Sequence, residues 1–226
     1  MLALKQGLSL VSTKMLGGWQ PSDETRLTAW YKNQTGITLN GSDVSAWADS
    51  SYNSFNMLQT TETEQPAYNS GAIEFTPADT QNLGTASDIT LSSDFTIGIK
   101  LNIAAAGGII IGDNTETGEF FKIFSTTVLR VKIDNAAAAD LELDSDTWGN
   151  GYMVVTRDGD NVLTLWWNGV KQTTATPTLS GTANIDTIGV RKTDTNPYDG
   201  TISEIQIYSA ESTAITANVN TYLSNI

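Results

Sequence analysis

Residues 159–169, Gly-Asp-Asn-Val-Leu-Thr-Leu-Trp-Trp-Asn-Gly, constrain the fold of this chain more than any other stretch. An alternating strand runs straight into Asn168-Gly169, and both central positions of a type I′ turn need φ > 0, which Asn and Gly tolerate best. Val170–Thr174 is expected to return as the partner strand. Upstream, Tyr152–Thr156 forms another strand that ends in the polar turn 157–161, so the three strands make a meander. Alternation puts Leu163, Leu165 and Trp167 on one face, read as core, and Val162, Thr164 and Trp166 on the other.

The rest of the chain repeats this style. Phe95–Leu101 and Ile109–Gly112 are strands joined by the small-residue loop 102–108. Phe120–Phe124 and Val128–Ile133 form a hairpin through Ser125-Thr126-Thr127, and 136–139 is a second small-residue loop. Charged residues are only 16% of the chain, and Gly, Thr, Ser and Asn fill the gaps between short apolar runs, as in sandwiches and barrels. No amphipathic helix separates the strands, which argues against a doubly wound α/β fold. Only the last segment has helical periodicity: Ile215, Val219, Tyr222 and Leu223 share a face, with Ser212 or Ser209 as N-cap.

Three segments carry a family resemblance. The Trp166-Trp167-Asn168-Gly169 hairpin is one, and Tyr198-Asp199-Gly200 running into Thr201–Tyr208 looks like a closing strand followed by a short helix. Leu27–Trp47 is similar to the opening of bacterial and phage versions, in which an aromatic strand leads to a Trp-x-Asp segment, and Glu74-Phe75 and Asp94–Ile97 follow in order. Together they resemble the laminin-G-like members of the concanavalin A-like lectin/glucanase superfamily, over roughly residues 25–226. The resemblance implies an all-β fold, an antiparallel two-sheet β-sandwich of jelly-roll type with a short C-terminal helix and an N-terminal arm. Domain organisation follows as an arm over residues 1–22 and a sandwich over 23–226.

A net charge of −13, with 12 scattered Lys and Arg, argues against nucleic acid and against an anionic membrane surface. Zero Cys removes disulfides and thiolate chemistry. Zero His removes the commonest general base, the Ser-His-Asp arrangement and imidazole metal sites.

The first eleven residues are mildly apolar, but Lys5, Gln6 and Gly7 interrupt them before an apolar core of a signal peptide develops. They read as neither signal peptide nor membrane span. Leu2, Leu4, Leu8, Leu10 and Trp19 are candidate contacts of an attachment arm, against the alternative of an extra edge strand on the same sandwich. An arm of this kind ahead of a lectin-like domain resembles virion proteins of tailed bacteriophages, especially capsid decoration or fibre components. That resemblance implies a particle-borne protein outside the cell, with capsid or other virion proteins as partners; a homo-oligomer is left open.

Asp140-Leu141-Glu142-Leu143-Asp144 alternates acids on one strand face, with Leu141 and Leu143 pointing inward. Glucanases of the superfamily begin and end such a strand with Glu; here both ends are Asp, so the match is poor and no residue is assigned a catalytic role. Calcium is the one cofactor considered, because laminin-G-like sandwiches often hold it in their loops. Asp113, Asp158, Asp160 and Asp194 are the candidate ligands, although none sits in an EF-hand spacing, and an Asx turn explains each loop more simply.

Aromatics offer the other functional route. Trp166, or Trp30 and Tyr31 by the same alternation, would form a platform for a sugar ring or an interface anchor. The leading reading is a non-enzymatic virion structural protein of a tailed bacteriophage, its lectin-like domain displayed outward for particle stabilisation or host attachment. A soluble or surface carbohydrate-binding module, recognising cell-surface polysaccharide with or without calcium, is the alternative. A glucanase comes third.

Overall fold

A computed structural model of the protein describes residues 18–114, 118–191 and 196–226. In chain order the strands are β1 (Leu27–Tyr31), β2 (Ile37–Asn40), β3 (Asp43–Trp47), β4 (Met57–Leu58), β5 (Ala67–Asn69), β6 (Ala72–Phe75), β7 (Leu83–Leu91) and β8 (Phe95–Ile103). There follow β9 (Ile109–Gly112), β10 (Phe120–Ile123), β11 (Val128–Lys132), β12 (Ala139–Glu142), β13 (Asn150–Arg157) and β14 (Leu163–Trp167). The last strands are β15 (Val170–Lys171), β16 (Ala183–Ile188) and β17 (Gly200–Tyr208), before the helix α1 (Thr213–Ser224).

All named pairings are antiparallel, and they link into one network that folds over into two layers. One layer runs β15-β14-β13-β8-β17, with β1 and β6 in tandem on the far side of β17. The other runs β12-β11-β10-β9-β16-β7-β4-β3-β2. Strand β5 joins them by pairing with both β6 and β3. The fold is therefore the expected antiparallel jelly-roll sandwich with a short C-terminal helix.

Period-2 alternation decides what fills the space between the layers. Phe95, Ile97, Ile99 and Leu101 of β8, Met153 and Val155 of β13, and Leu163, Leu165 and Trp167 of β14 all point into this core. Leu141 and Leu143 do so as well. At the turn between β14 and β15, Asn168 and Gly169 have φ of 48° and 80°, as the type I′ reading requires.

The opposite face of the first layer is not open to water throughout, because α1 lies across it. Ser212 accepts a hydrogen bond from the Ile215 amide at 3.1 Å and so caps the helix. Ile215, Val219 and Leu223 pack on Tyr152, Val154 and Tyr208 in a second, smaller core. Burying each of these aliphatic side chains contributes about 1.5–3 kcal/mol.

Three local expectations are corrected. The partner strand after Asn168-Gly169 stops at Lys171 instead of Thr174, because the Thr173 and Thr174 amides turn away to bond the Asp144 carboxylate. Loop 102–108 is shorter than expected, since Asn102 and Ile103 pair with β13 and β17 in the last part of β8. Ala139 likewise belongs to β12 and faces the core.

Candidate functional site

The helix lies mainly over β8 and β13, and a groove of about 490 Å³ opens between α1 and the outer face at β14 and β15. That volume lies within the range of small-molecule sites. Thr156 of β13 and Thr164 of β14 are direct cross-strand partners and line the groove. Trp166, two residues along β14 from Thr164, lines it too and is half-buried. The Lys171 ammonium stands 5.7 Å from the centre of the Trp166 ring.

The helix forms the second wall. Thr216 and Asn220 lie one turn apart, so they stand side by side on the same face. The Asn220 amide nitrogen donates to the Thr216 carbonyl at 2.8 Å, which fixes the amide's orientation. The Thr216 hydroxyl and the Asn220 carbonyl oxygen are both buried and find no hydrogen-bond partner among the described residues. Buried polar atoms in native proteins are nearly always satisfied, so two neighbouring exceptions on residues that line one groove make it the candidate site.

Glu211 and Asp158 stand on the groove's rim. Burial pushes the Glu211 carboxyl above the ordinary range, and the nearby Asp158 and Asp94 charges push the same way. Asp158 also closes an Asx turn, accepting from the Asp160 and Val162 amides, both at 2.9 Å.

Of the aromatic candidates only Trp166 borders open space. Trp30 is 5% exposed and Tyr31 is fully buried, which corrects the platform expected there. Alternation on β1 does place the two rings on opposite faces, but both faces are covered. Tyr31 packs on Trp47 inside the sandwich, and Trp30 meets Tyr222 of α1 edge-on at 6.3 Å.

Trp19, an arm candidate, packs on its own sandwich. Its ring lies 6.1 Å from Tyr222 and 6.4 Å from Tyr208, and its indole nitrogen donates to Glu24 at 3.0 Å. Leu2, Leu4, Leu8 and Leu10 lie outside the described residues, as does Asp194.

Of the calcium candidates, the described ones, Asp113, Asp158 and Asp160, do not assemble. Among the described residues no group of three or more acidic side chains is placed to hold a metal ion. Asp158 and Asp160 form the turn above, on a different loop from Asp113, which is 2% exposed. Glu119 and Asp186 are buried in the same region as Asp113 and feel its charge.

The acidic strand is equally committed. Asp140 takes both arms of the Arg130 guanidinium at 2.8 Å, which holds its carboxyl below the ordinary range. Asp144 accepts from the hydroxyls and amides of Thr173 and Thr174, again lowering it.

Sequence reading found Trp166 but missed Thr216 and Asn220. Their one signal is a polar pair at i and i+4 beside the apolar stripe of Ile215 and Val219, and it carries no information about what the helix lies against.

The sandwich is similar to solved structures at low sequence identity, which shows the shared fold alone. Domain 4 of AbnA, a GH43 extracellular arabinanase from Geobacillus stearothermophilus, in complex with arabinotriose, matches with a TM-score of 0.59 and 17% identity, over 88% of this chain and 98% of that one. The binding domain of Paraclostridial Mosquitocidal Protein 1 matches with 0.55 and 14%, over 91% of this chain and 53% of that one. A Trypanosoma rangeli sialidase in complex with 2,3-difluorosialic acid matches with 0.55 and 13%, over 89% and 33%. This chain thus spans about half of the toxin chain and a third of the sialidase. No curated protein matches the sequence. A sequence profile of the laminin G type, from the concanavalin A-like lectin/glucanases superfamily, matches residues 76–216, more than half of the chain, and the protein belongs to that superfamily.

Proposed function

We propose that this protein is a non-enzymatic, lectin-like binding domain that holds a carbohydrate in the groove between α1 and β14. The half-buried Trp166 beside buried, unpartnered polar atoms carries the proposal. A sugar ring presents an apolar C–H face to an indole while its hydroxyls seek hydrogen bonds, and the groove offers both partners. The fold shared with an arabinanase domain in complex with arabinotriose supports the reading. The commitment of Asp140 and Asp144 to structural bonds supports the non-enzymatic reading.

A screen of the purified protein against immobilised polysaccharides and glycans tests this. Binding is expected, with Trp166→Ala weakening it about tenfold or more while the sandwich stays folded. Binding that ignores the Trp166→Ala change would move the site elsewhere, and no binding to any glycan would sink the proposal.

The finer reading is an outward-facing component of a tailed-bacteriophage particle, tethered by the residues ahead of Trp19. Its support is the resemblance of the arm to those of such virion proteins. Repeated display on a particle would turn weak single sites into firm attachment. Removal of residues 1–17 should leave the sandwich folded and abolish incorporation into particles; unchanged incorporation would overturn the tether.

A further inference from the structure

We propose that the groove takes a neutral glycan and rejects acidic ones, with Thr216 and Asn220 reading a pair of sugar hydroxyls. This rests on the carbohydrate-binding reading above.

The chemistry of the two orphaned atoms sets the requirement. Thr216 is 6% exposed, and its hydroxyl, able to donate and to accept, has no partner among the described residues. The Ser212 carbonyl one turn back takes the Thr216 amide at 3.0 Å, and the hydroxyl adds no second bond to it. Asn220, which lines the groove, uses its amide nitrogen on the Thr216 carbonyl, so the group it leaves unpartnered is a buried acceptor oxygen. A ligand that satisfies both must bring at least one donor to Asn220. Sugar hydroxyls donate and accept, whereas an ionised carboxylate only accepts, so any sugar bound here must turn a hydroxyl, not a carboxylate, towards Asn220.

Charge points the same way. Two carboxylates, Glu211 and Asp158, line the groove, with Asp94 behind Glu211, whose amide the Asp94 side chain accepts at 3.0 Å. Among the described residues the one cation lining it, Lys171, stands over the Trp166 ring. A uronic or sialic acid would meet like charge at the rim, within a chain of net charge −13.

The test measures affinity of the full chain for neutral polysaccharides (arabinan, galactan, xylan) and acidic ones (polygalacturonate, polysialic acid) by titration calorimetry. Binding to a neutral polymer is expected. Thr216→Val should lower that affinity about three- to tenfold, the effect of one hydrogen bond, with an unchanged or raised Tm because it removes an unsatisfied buried hydroxyl. Asn220→Ala should lower affinity by a similar factor. Equal or tighter binding of an acidic polymer, or neutral binding indifferent to both substitutions, would overturn the inference, while Trp166-dependent binding would still uphold the carbohydrate reading. No binding to either class would overturn both.

Discussion

Gly98, at the middle of β8, lies directly beneath Val219 of α1: a methyl group on its Cα would stand 2.5 Å from Val219 Cγ1 and 3.0 Å from Leu223 Cδ1. The missing side chain is what lets the helix lie close to the sheet. The depth at which α1 sits in turn sets how far Thr216 and Asn220 stand from Trp166.

Gly98→Ala should therefore lift the helix. Val219 is fully buried and stiff at χ1, so it yields poorly. The expected cost is about 1–3 kcal/mol of overpacking, read by urea denaturation, together with weaker glycan binding. A variant as stable as the parent and equally able to bind would show that α1 is not held by this contact.

Asp186 gives the protein a pH-dependent term. Burial raises its carboxyl to about 6, with Asp113 and Asp88 adding to the rise against the bond from the Asn114 amide. The folded form thus holds its proton up to about pH 6, whereas an unfolded aspartate releases it near 3.8. The burial penalty is full above pH 6 and disappears as the pH falls towards 4. Asp186→Asn should stabilise the protein at pH 7 by about 1–3 kcal/mol and remove that part of the pH dependence between pH 4 and 6. Parallel stability curves for the two proteins would contradict this.

Glu204 is fully buried and ties β1 to β17. It accepts from the Trp30 indole at 2.6 Å, the Asn33 amide at 2.7 Å and the Gln206 side chain at 3.0 Å. Glu204→Ala strands three donors and should cost about 3–5 kcal/mol. The denaturation midpoint and the emission wavelength of Trp30 measure it, and a loss below about 1 kcal/mol would mean that water replaces the carboxylate.

Asp144 holds the chain where β15 ends. Its carboxylate accepts the Thr173 and Thr174 amides and both hydroxyls, which keeps it well below the ordinary range. Those bonds are present above the usual carboxylate pKa and are lost only as strong acid protonates the group. Asp144→Ala should speed hydrogen exchange at the Thr173 and Thr174 amides without altering exchange in the core strand β8. Unchanged exchange at both amides would show that the turn persists without Asp144.

The jelly roll was legible in the sequence because short-range physics writes it there. Period-2 alternation marked Leu163, Leu165 and Trp167 as core. The φ > 0 demand of the turn marked Asn168-Gly169, and helical spacing with Ser212 marked α1. What local pattern cannot carry is which face a distant element covers. Trp30 and Trp166 look alike along their strands, yet Tyr222 of α1 packs edge-on against the first, while the second borders the groove beside α1. Alternation assigns a side chain to a face, and the packing of elements far apart in sequence decides whether that face meets water. Thr216 and Asn220 became a candidate site only through that packing, because a polar pair on a helix means nothing until a tryptophan stands across from it.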